Sequence, residues 1–212
     1  MALSLAPSRT HLLRDGRPFF WLADTAWNGV LKAAAPDWER YLDARAAQGF
    51  TVIQFVCTQW RAYDTEAAFT RDGGLRMNES FFARRDPLVR MIRERGMIPG
   101  LSTHMPESVI YADESGLDVE TYIQIYNSMG FLMQVEVDWI HRVITGAKKP
   151  VMTIKPMASG QLRPFQALYF VWNTLREQDL VAVGTLTPDE ARELVDLSLS
   201  ILAGKRYAGT LQ

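Results

Sequence analysis

The stretch YLDARAAQGFTVIQFV (Tyr41–Val56) contains both of the patterns from which the fold is predicted. Its first part completes a helical pattern that runs from Pro36 to Gln48, and Gly49 provides the stop signal. Its second part, TVIQFV (Thr51–Val56), is rich in β-branched and aromatic residues and predicts a strand. A helix that leads through a glycine turn into a strand is the repeating unit of α/β proteins.

The same alternation continues along the chain. The other predicted strands are Phe19–Asp24, Ile98–Thr103, Glu120–Tyr126, Val151–Lys155 and Leu180–Gly184. Strands separated by helices predict parallel pairing through right-handed crossovers. We therefore expect a single α/β domain over residues 1–212 with a (β/α)-barrel (TIM-barrel-like) fold. About six β-α units are recognisable where a complete barrel has eight, so the barrel is expected to be shortened, open, or completed by another copy of the chain.

Local signals predict where several elements begin and end. Asp15-Gly16 indicates a hairpin turn before the first strand. Asp86-Pro87 is interpreted as the start of a helix that stops at Gly96. The clearest helix start is Thr187-Pro188-Asp189-Glu190, which places a capping hydroxyl three residues before a carboxylate.

The composition excludes several classes of protein. The chain has 212 residues and a net charge of −1, so it has no electrostatic footprint for nucleic acid or for an anionic membrane. Its only cysteine, Cys57, cannot form an intramolecular disulfide or a four-cysteine zinc site. The start MALSLAPSRTHLL lacks the pattern of a secretory signal, and no apolar run reaches membrane-spanning length. A cytoplasmic location is the expectation.

Three segments of the first half resemble one enzyme family. They are LLRDGRPFFWLADTAW (Leu12–Trp27), YLDARAAQGFTVIQFV (Tyr41–Val56) and RRDPLVRMIRERGMIPG (Arg84–Gly100). These segments resemble the apiosidase-like glycoside hydrolases, a (β/α)8 family. The resemblance implies a carbohydrate-active barrel, with Asp24 and Trp27 at the mouth of the first strand.

The second half follows another pattern. The segments Gly100–Asn127, Pro150–Asn173 and Val181–Leu199 resemble a different, aldolase-type (β/α)-barrel. The two resemblances together imply a chimeric or engineered chain, with a recombination junction near Gly100.

Strand alternation selects a polar set of residues for the barrel axis. In a barrel one face of each strand packs on the helices and the other points to the axis. The residues predicted to line the axis are Gln54, Ser102, His104, Gln124, Tyr126, Thr153 and Lys155. Several of them are near the carboxyl ends of strands, where barrel active sites are built.

Three residues are the candidates for catalysis. Desolvation frees a lysine amine to attack a carbonyl, so Lys155 is a candidate Schiff-base nucleophile, or else a structural ammonium. His104 is a candidate general base or a hydrogen-bonded structural histidine. Asp24 is a candidate sugar-binding or catalytic acid, or a cap for the loop behind it. Glycoside hydrolysis usually requires two carboxylates, and Glu107 is the one candidate for the second; alternatively it stabilises the first turn of a helix.

The sequence therefore leaves three functions open. The first is a recombined or designed scaffold with a polar pocket, for which hydrolase activity is expected to be absent or marginal. The alternatives are a glycoside hydrolase-like enzyme and a Schiff-base lyase that uses Lys155. A small-molecule or sugar ligand and a homodimer are the expected partners, without nucleic acid or membrane, and no cofactor or metal is predicted. The aromatic pair Trp60 and Tyr63 is a candidate sugar-stacking platform or a packing cluster.

Overall fold

The chain divides into two compact units, residues 1–102 and 103–212. The computed structural model describes residues 3–8, 11–56, 67–70, 76–99, 101–116 and 119–204, with the backbone alone at positions 69, 70, 101 and 103. Each unit is described by itself below. That the two units form one domain stays a prediction.

The first unit contains eight strands and three helices among its described residues. In chain order they are β1 (Leu3–Leu5), β2 (Leu12–Arg14), β3 (Arg17–Phe19), β4 (Ala23–Thr25), α1 (Gly29–Lys32), α2 (Ala35–Ala47), β5 (Val52–Gln54), β6 (Phe69–Thr70), β7 (Arg76–Met77), α3 (Glu79–Glu94) and β8 (Ile98–Pro99). A further strand, β9 (Leu101–Thr103), spans the boundary between the units.

A small antiparallel sheet precedes the first parallel strand. Its strands are ordered β1-β2-β3, and β2 and β3 are joined through Asp15 and Gly16, whose φ angles are 50° and 78°. Positive φ at both central residues is typical of the tight hairpin turn that Asp-Gly favours. The predicted hairpin is confirmed. Because Phe19 belongs to this hairpin, the first parallel strand begins at Ala23 and not at the predicted Phe19.

Three parallel strands form the central sheet of the first unit, in the order β4-β5-β8. Ile53 of β5 is fully buried in a core cluster with Trp38 and Leu42 of α2 and Ile92 of α3. The Nε1–H of Trp38 donates to the backbone carbonyl of Leu88 at 2.9 Å, which links α2 to α3. Helices α2 and α3 therefore cover the face of the sheet to which Ile53 points.

The start of α3 differs from the prediction. The helix begins at Glu79, and the side chain of Asn78 caps it by accepting from the backbone N–H of Phe81 at 3.3 Å. Pro87 lies inside the helix, so the interpretation of Asp86-Pro87 as a helix start is wrong. Asparagine is among the preferred cap residues, and a helix that starts after Asn78 has Pro87 in its interior.

The second unit continues the alternation of strands and helices. In chain order its elements are α4 (Glu107–Ser115), β10 (Tyr122–Ile125), α5 (Val137–Gly146), β11 (Val151–Ile154), a short 3-10 turn (Ala158–Gly160), α6 (Pro164–Thr174), β12 (Leu180–Ala182) and α7 (Pro188–Leu202). The predicted start of the last helix is confirmed, because the Thr187 side chain accepts from the N–H of Glu190 at 3.2 Å.

The sheet of the second unit has the order β12-β11-β10-β9. Its β10–β11 and β11–β12 pairs are parallel, and Gln124 is in register with Thr153. Tyr122 donates from its hydroxyl to Asp113 of α4 at 2.6 Å. This face of β10 is therefore covered by helices.

The predicted strands are present, although each is shorter than expected. The predicted third strand, Ile98–Thr103, is divided into β8 and β9, which belong to different sheets. Gly100, the expected junction, lies outside the described residues. The chain is thus a mixed α/β protein with parallel sheets, while barrel closure and a homodimer stay predictions. None of the described helices combines the length and apolar character that crossing a bilayer requires.

Two glycine substitutions test the packing of these helices. A Cβ at Gly29 would overlap the indole of Trp38, which is almost fully buried. We expect Gly29→Ala to lower the free energy of unfolding by about 1–3 kcal/mol, because the core around Trp38 must shift. A Cβ at Gly146 in α5 meets no atom within 4 Å, so Gly146→Ala is the matched control and should leave stability unchanged or raise it. Urea unfolding measures both, and an equal response of the two variants would contradict the packing described for Trp38.

Candidate functional site

Gln54 lies on the face of the first unit's sheet that α2 and α3 leave uncovered. Gln54 follows Ile53 in β5, so its side chain points away from the buried cluster. Its Nε2 donates to the hydroxyl of Ser102 at 3.1 Å. Both side chains are half-buried. They can offer an amide and a hydroxyl group to a polar ligand.

Three residues predicted to line the barrel axis lie instead on the helix-covered face. Tyr126 stacks on His141 of α5, contacts Phe170 of α6 and donates to the Thr174 hydroxyl at 3.1 Å. Side chains alternate along a strand, so Gln124 shares the face of Tyr122 and Tyr126.

Thr153 shares that face because it is the register partner of Gln124. Both residues are fully buried, and the Thr153 hydroxyl donates to the Leu180 carbonyl of the next strand at 3.1 Å. The assignment of Gln124, Tyr126 and Thr153 to the axis is therefore wrong. The polar atoms of these residues mainly serve internal packing, although Oε1 of Gln124 has no partner among the described residues.

Asp24 is held in place by two side chains of α2. Its carboxylate accepts from the hydroxyl of Tyr41 at 2.7 Å and pairs with the guanidinium of Arg45. It also accepts from the backbone N–H of Thr25 at 2.8 Å. Asp24 is in register with Ile53, so it lies on the helix-covered face. This arrangement makes Asp24 a structural anchor between β4 and α2.

The electrostatics of this cluster agree with that role. The hydrogen bond from Tyr41, together with Arg45, holds the pKa of Asp24 below its usual value. Burial and the neighbouring carboxylate raise the pKa of Tyr41 to about 12. Sequence reasoning missed Tyr41 and Arg45. Their spacing of four residues, which places them on one side of α2, is the signal that indicates a shared partner.

His104 and Lys155 interact electrostatically in the second unit. His104 follows β9 and Lys155 follows β11. Partial desolvation lowers the pKa of the His104 imidazole, and the nearby positive charge of Lys155 lowers it further by a smaller amount. The imidazole is therefore mainly neutral at neutral pH and can accept a proton or a hydrogen bond.

Glu107 is the first residue of α4, close in sequence to the end of β9. Its Oε2 is buried and has no hydrogen-bond partner among the described residues. A buried oxygen without a partner costs free energy, which a ligand that donates a hydrogen bond would recover. Glu107 thus keeps one carboxylate oxygen without a described partner, in contrast to Asp24.

The loop after β11 has an unusual backbone. Lys155, Ala158 and Ser159 have φ angles of 57°, 49° and 57°, in the left-handed region that non-glycine residues seldom adopt. Such residues cluster at ligand-binding and active sites. Lys155 is half-buried at the start of this loop. The loop conformation therefore supports a ligand-binding role at the carboxyl end of β11.

Two further points concern the aromatic pair and the grouping of metal-ligand residues. Trp60 and Tyr63, the candidate stacking platform, lie outside the described residues. Within the described part of the chain, no three His, Cys, Asp or Glu side chains are grouped as a metal site would require.

The fold and these side chains define a class of protein. Parallel strands, covering helices and polar groups at the carboxyl ends of strands are typical of (β/α)-type ligand-binding and catalytic proteins. The chain belongs to the apiosidase-like family: the family described as "Apiosidase-like, catalytic domain" matches residues 7–153. The match continues past Gly100, so the first family resemblance does not end at the expected junction.

Solved structures similar to the chain include two glycoside hydrolases. One, described as "Glycoside hydrolase", is 16% identical with a TM-score of 0.48, and the match covers 72% of this chain and 40% of the other. The second is a family 5 glycoside hydrolase from Bacteroides vulgatus, at 13% identity and a TM-score of 0.48, covering 72% and 39%. The chain thus spans about two fifths of the length of these proteins.

A third similar structure is a putative aldo-keto reductase from Pseudomonas aeruginosa. It is 13% identical with a TM-score of 0.44, and the match covers 88% of this chain and 92% of the other. No curated protein sequence matches the chain.

The anchor role of Asp24 predicts a pH-dependent loss of stability. We expect Asp24→Asn to lower the free energy of unfolding by about 1–3 kcal/mol at neutral pH, because charged hydrogen bonds to Tyr41 and Arg45 are lost. The pKa of Asp24 is lower in the folded state, so its contribution is present above the unfolded pKa and disappears as pH falls through the folded pKa. Urea unfolding at several pH values measures the difference between wild type and variant, which should shrink in acid.

The matched control is Asp37→Asn. Asp37 forms an exposed pair with Arg40 within α2, and such surface pairs contribute little. A loss for Asp37→Asn as large as that for Asp24→Asn would contradict the anchor role.

Reductive labelling tests the lyase alternative. Lys155 is half-buried, whereas Lys32 is exposed, so a small aldehyde with borohydride should label Lys32 at least as fast as Lys155. Peptide mass mapping measures the adducts. A stoichiometric adduct confined to Lys155 would instead support the Schiff-base reaction.

Proposed function

We propose that the chain is part of a glycoside hydrolase-like, carbohydrate-active enzyme. The observation that carries this proposal is the family match over residues 7–153. A family match of this extent favours the hydrolase alternative over a designed scaffold. The family description names apiosidases, so we propose apiosides as the first substrates to test.

In this proposal Glu107 donates the proton to the leaving group. Glycosidases use a carboxylic acid to protonate the glycosidic oxygen as the bond to the sugar breaks. The support for Glu107 is its buried Oε2 without a described partner and its place four residues after β9. Asp24 is not proposed for this step, because Tyr41 and Arg45 already occupy its carboxylate.

His104 and Lys155 are proposed to bind the sugar. A mainly neutral imidazole accepts or donates a hydrogen bond to a hydroxyl group, and the Lys155 ammonium donates one. A second carboxylate, required as nucleophile or base, is not assigned among the described residues. The proposed chemistry uses only acid and base groups and no cofactor.

Substrates with different leaving groups test the role of Glu107. A phenyl apioside needs a proton on its leaving oxygen, whereas a 2,4-dinitrophenyl apioside does not, because dinitrophenolate is stable as an anion. We expect Glu107→Gln to reduce kcat/KM for the phenyl substrate by about 10²–10⁴-fold and to leave the dinitrophenyl substrate much less affected. Release of the phenol measures both reactions.

The control is Glu79→Gln. Glu79 occupies the first turn of α3 as Glu107 does in α4, but it is exposed. Its replacement should leave both rates unchanged. Equal loss on both substrates for Glu107→Gln would contradict the proton-donor role, and absence of turnover by the wild-type chain would contradict hydrolysis by this chain.

A further inference from the structure

A groove lies between α4 and α5 of the second unit. Its volume is about 400 Å³, and it is open to solvent. Apolar side chains from both helices line it, namely Val109, Ile110, Trp139 and Val143. The volume is within the range of small-molecule sites, which are commonly about 300–1,000 Å³. The walls offer an aromatic ring and aliphatic groups to an apolar ligand.

The walls of the groove are fixed to the sheet through Asp113. One carboxylate oxygen accepts from the hydroxyl of Tyr122 at 2.6 Å, and the other accepts from the backbone N–H of Lys148 at 2.9 Å. The Lys148 ammonium donates to the backbone carbonyl of Asp113 at 2.8 Å. These bonds tie α4 to β10 and to the segment after α5, so the groove is formed before a ligand binds.

Gly146 keeps part of the groove open. It is the last residue of α5, and a Cβ built there would meet no atom within 4 Å. It lies seven residues after Trp139, on the same side of the helix. A larger side chain at position 146 would therefore enter the groove.

The charged residues of the groove differ in their availability. Asp113 is engaged by Tyr122 and Lys148, as described above. Arg142 is exposed and makes no side-chain hydrogen bond or ion pair with a described residue, and it lies one turn from Trp139. Glu114 on the α4 wall is also exposed. A guanidinium beside an aromatic ring favours a ligand that carries a carboxylate.

We propose that this groove binds a small aromatic carboxylate. The ring occupies the apolar walls beside Trp139, and the carboxylate pairs with Arg142 on the α5 wall, directed away from Glu114. The site lies on the helix-covered side of β10 and uses none of the residues proposed for glycoside hydrolysis. The inference therefore stands or fails independently of the proposed function.

Titration with 2-naphthoate tests the site. At ordinary ligand efficiency, a ligand of about 13 non-hydrogen atoms binds with a Kd on the order of 1 mM. We expect saturable shifts of the Trp139 indole N–H in NMR spectra of the wild-type chain. Gly146→Phe should abolish them by filling the groove, whereas Gly146→Ala should retain them. Thermal unfolding checks that both variants fold.

Charge specificity is tested with Arg142→Gln. This variant should weaken 2-naphthoate binding about ten-fold and leave binding of the neutral analogue 2-naphthamide unchanged, because only the carboxylate pairs with the guanidinium. Arg90→Gln, which replaces an exposed arginine of α3 in the other unit, is the matched control and should bind as the wild type does. Equal naphthoate binding by wild type and Gly146→Phe, or by wild type and Arg142→Gln, would overturn the proposal.

Discussion

Helices pack against one face of each parallel sheet, and this packing decides which side chains can reach a ligand. In the first unit, one face of β5 packs against α2 and α3 through the buried cluster around Trp38 and Ile53. In the second unit, one face of β10 packs against the helices through Tyr122 and Tyr126. A side chain on the face that packs against helices contributes to the core even when it is polar. On the sheets themselves, a ligand can reach the opposite face and the carboxyl ends of the strands.

Local patterns in the sequence predicted much of this arrangement correctly. The parallel pairing, the Asp15-Gly16 hairpin and the Thr187 cap are all confirmed. Alternation also predicted the buried face of strand β5, because Ile53 is aliphatic and its neighbour Gln54 is polar. Each of these features depends on residues that are close together in the chain, so it can be predicted from a single sequence.

The same alternation failed for β10. A tyrosine is mostly apolar, and its hydroxyl can be buried when a partner is within reach. Tyr122 finds Asp113 and Tyr126 finds Thr174, both on helices. Tertiary packing brings those partners to the tyrosines. The pattern of polar and apolar residues along β10 therefore predicted the wrong face of the strand for these side chains. The partners of Asp24, Tyr41 and Arg45, are likewise on α2 and are not evident from the strand pattern.

Tertiary contacts therefore separate the two candidate carboxylates. Asp24 is surrounded by donors and stabilises the joint between β4 and α2, whereas Glu107 retains an oxygen without a described partner. An acid that acts on a substrate must have an oxygen that the protein leaves unoccupied. For this reason Glu107, with His104 and Lys155, is the centre of the proposed site.

An NMR titration of the chain with phenyl apioside distinguishes the two carboxylates. Saturable shifts in the backbone amides of His104, Glu107 and Lys155, with the signals of Asp24 and Arg45 unchanged, are the predicted result. Shifts concentrated at Asp24 and Arg45, with none at Glu107, would contradict it.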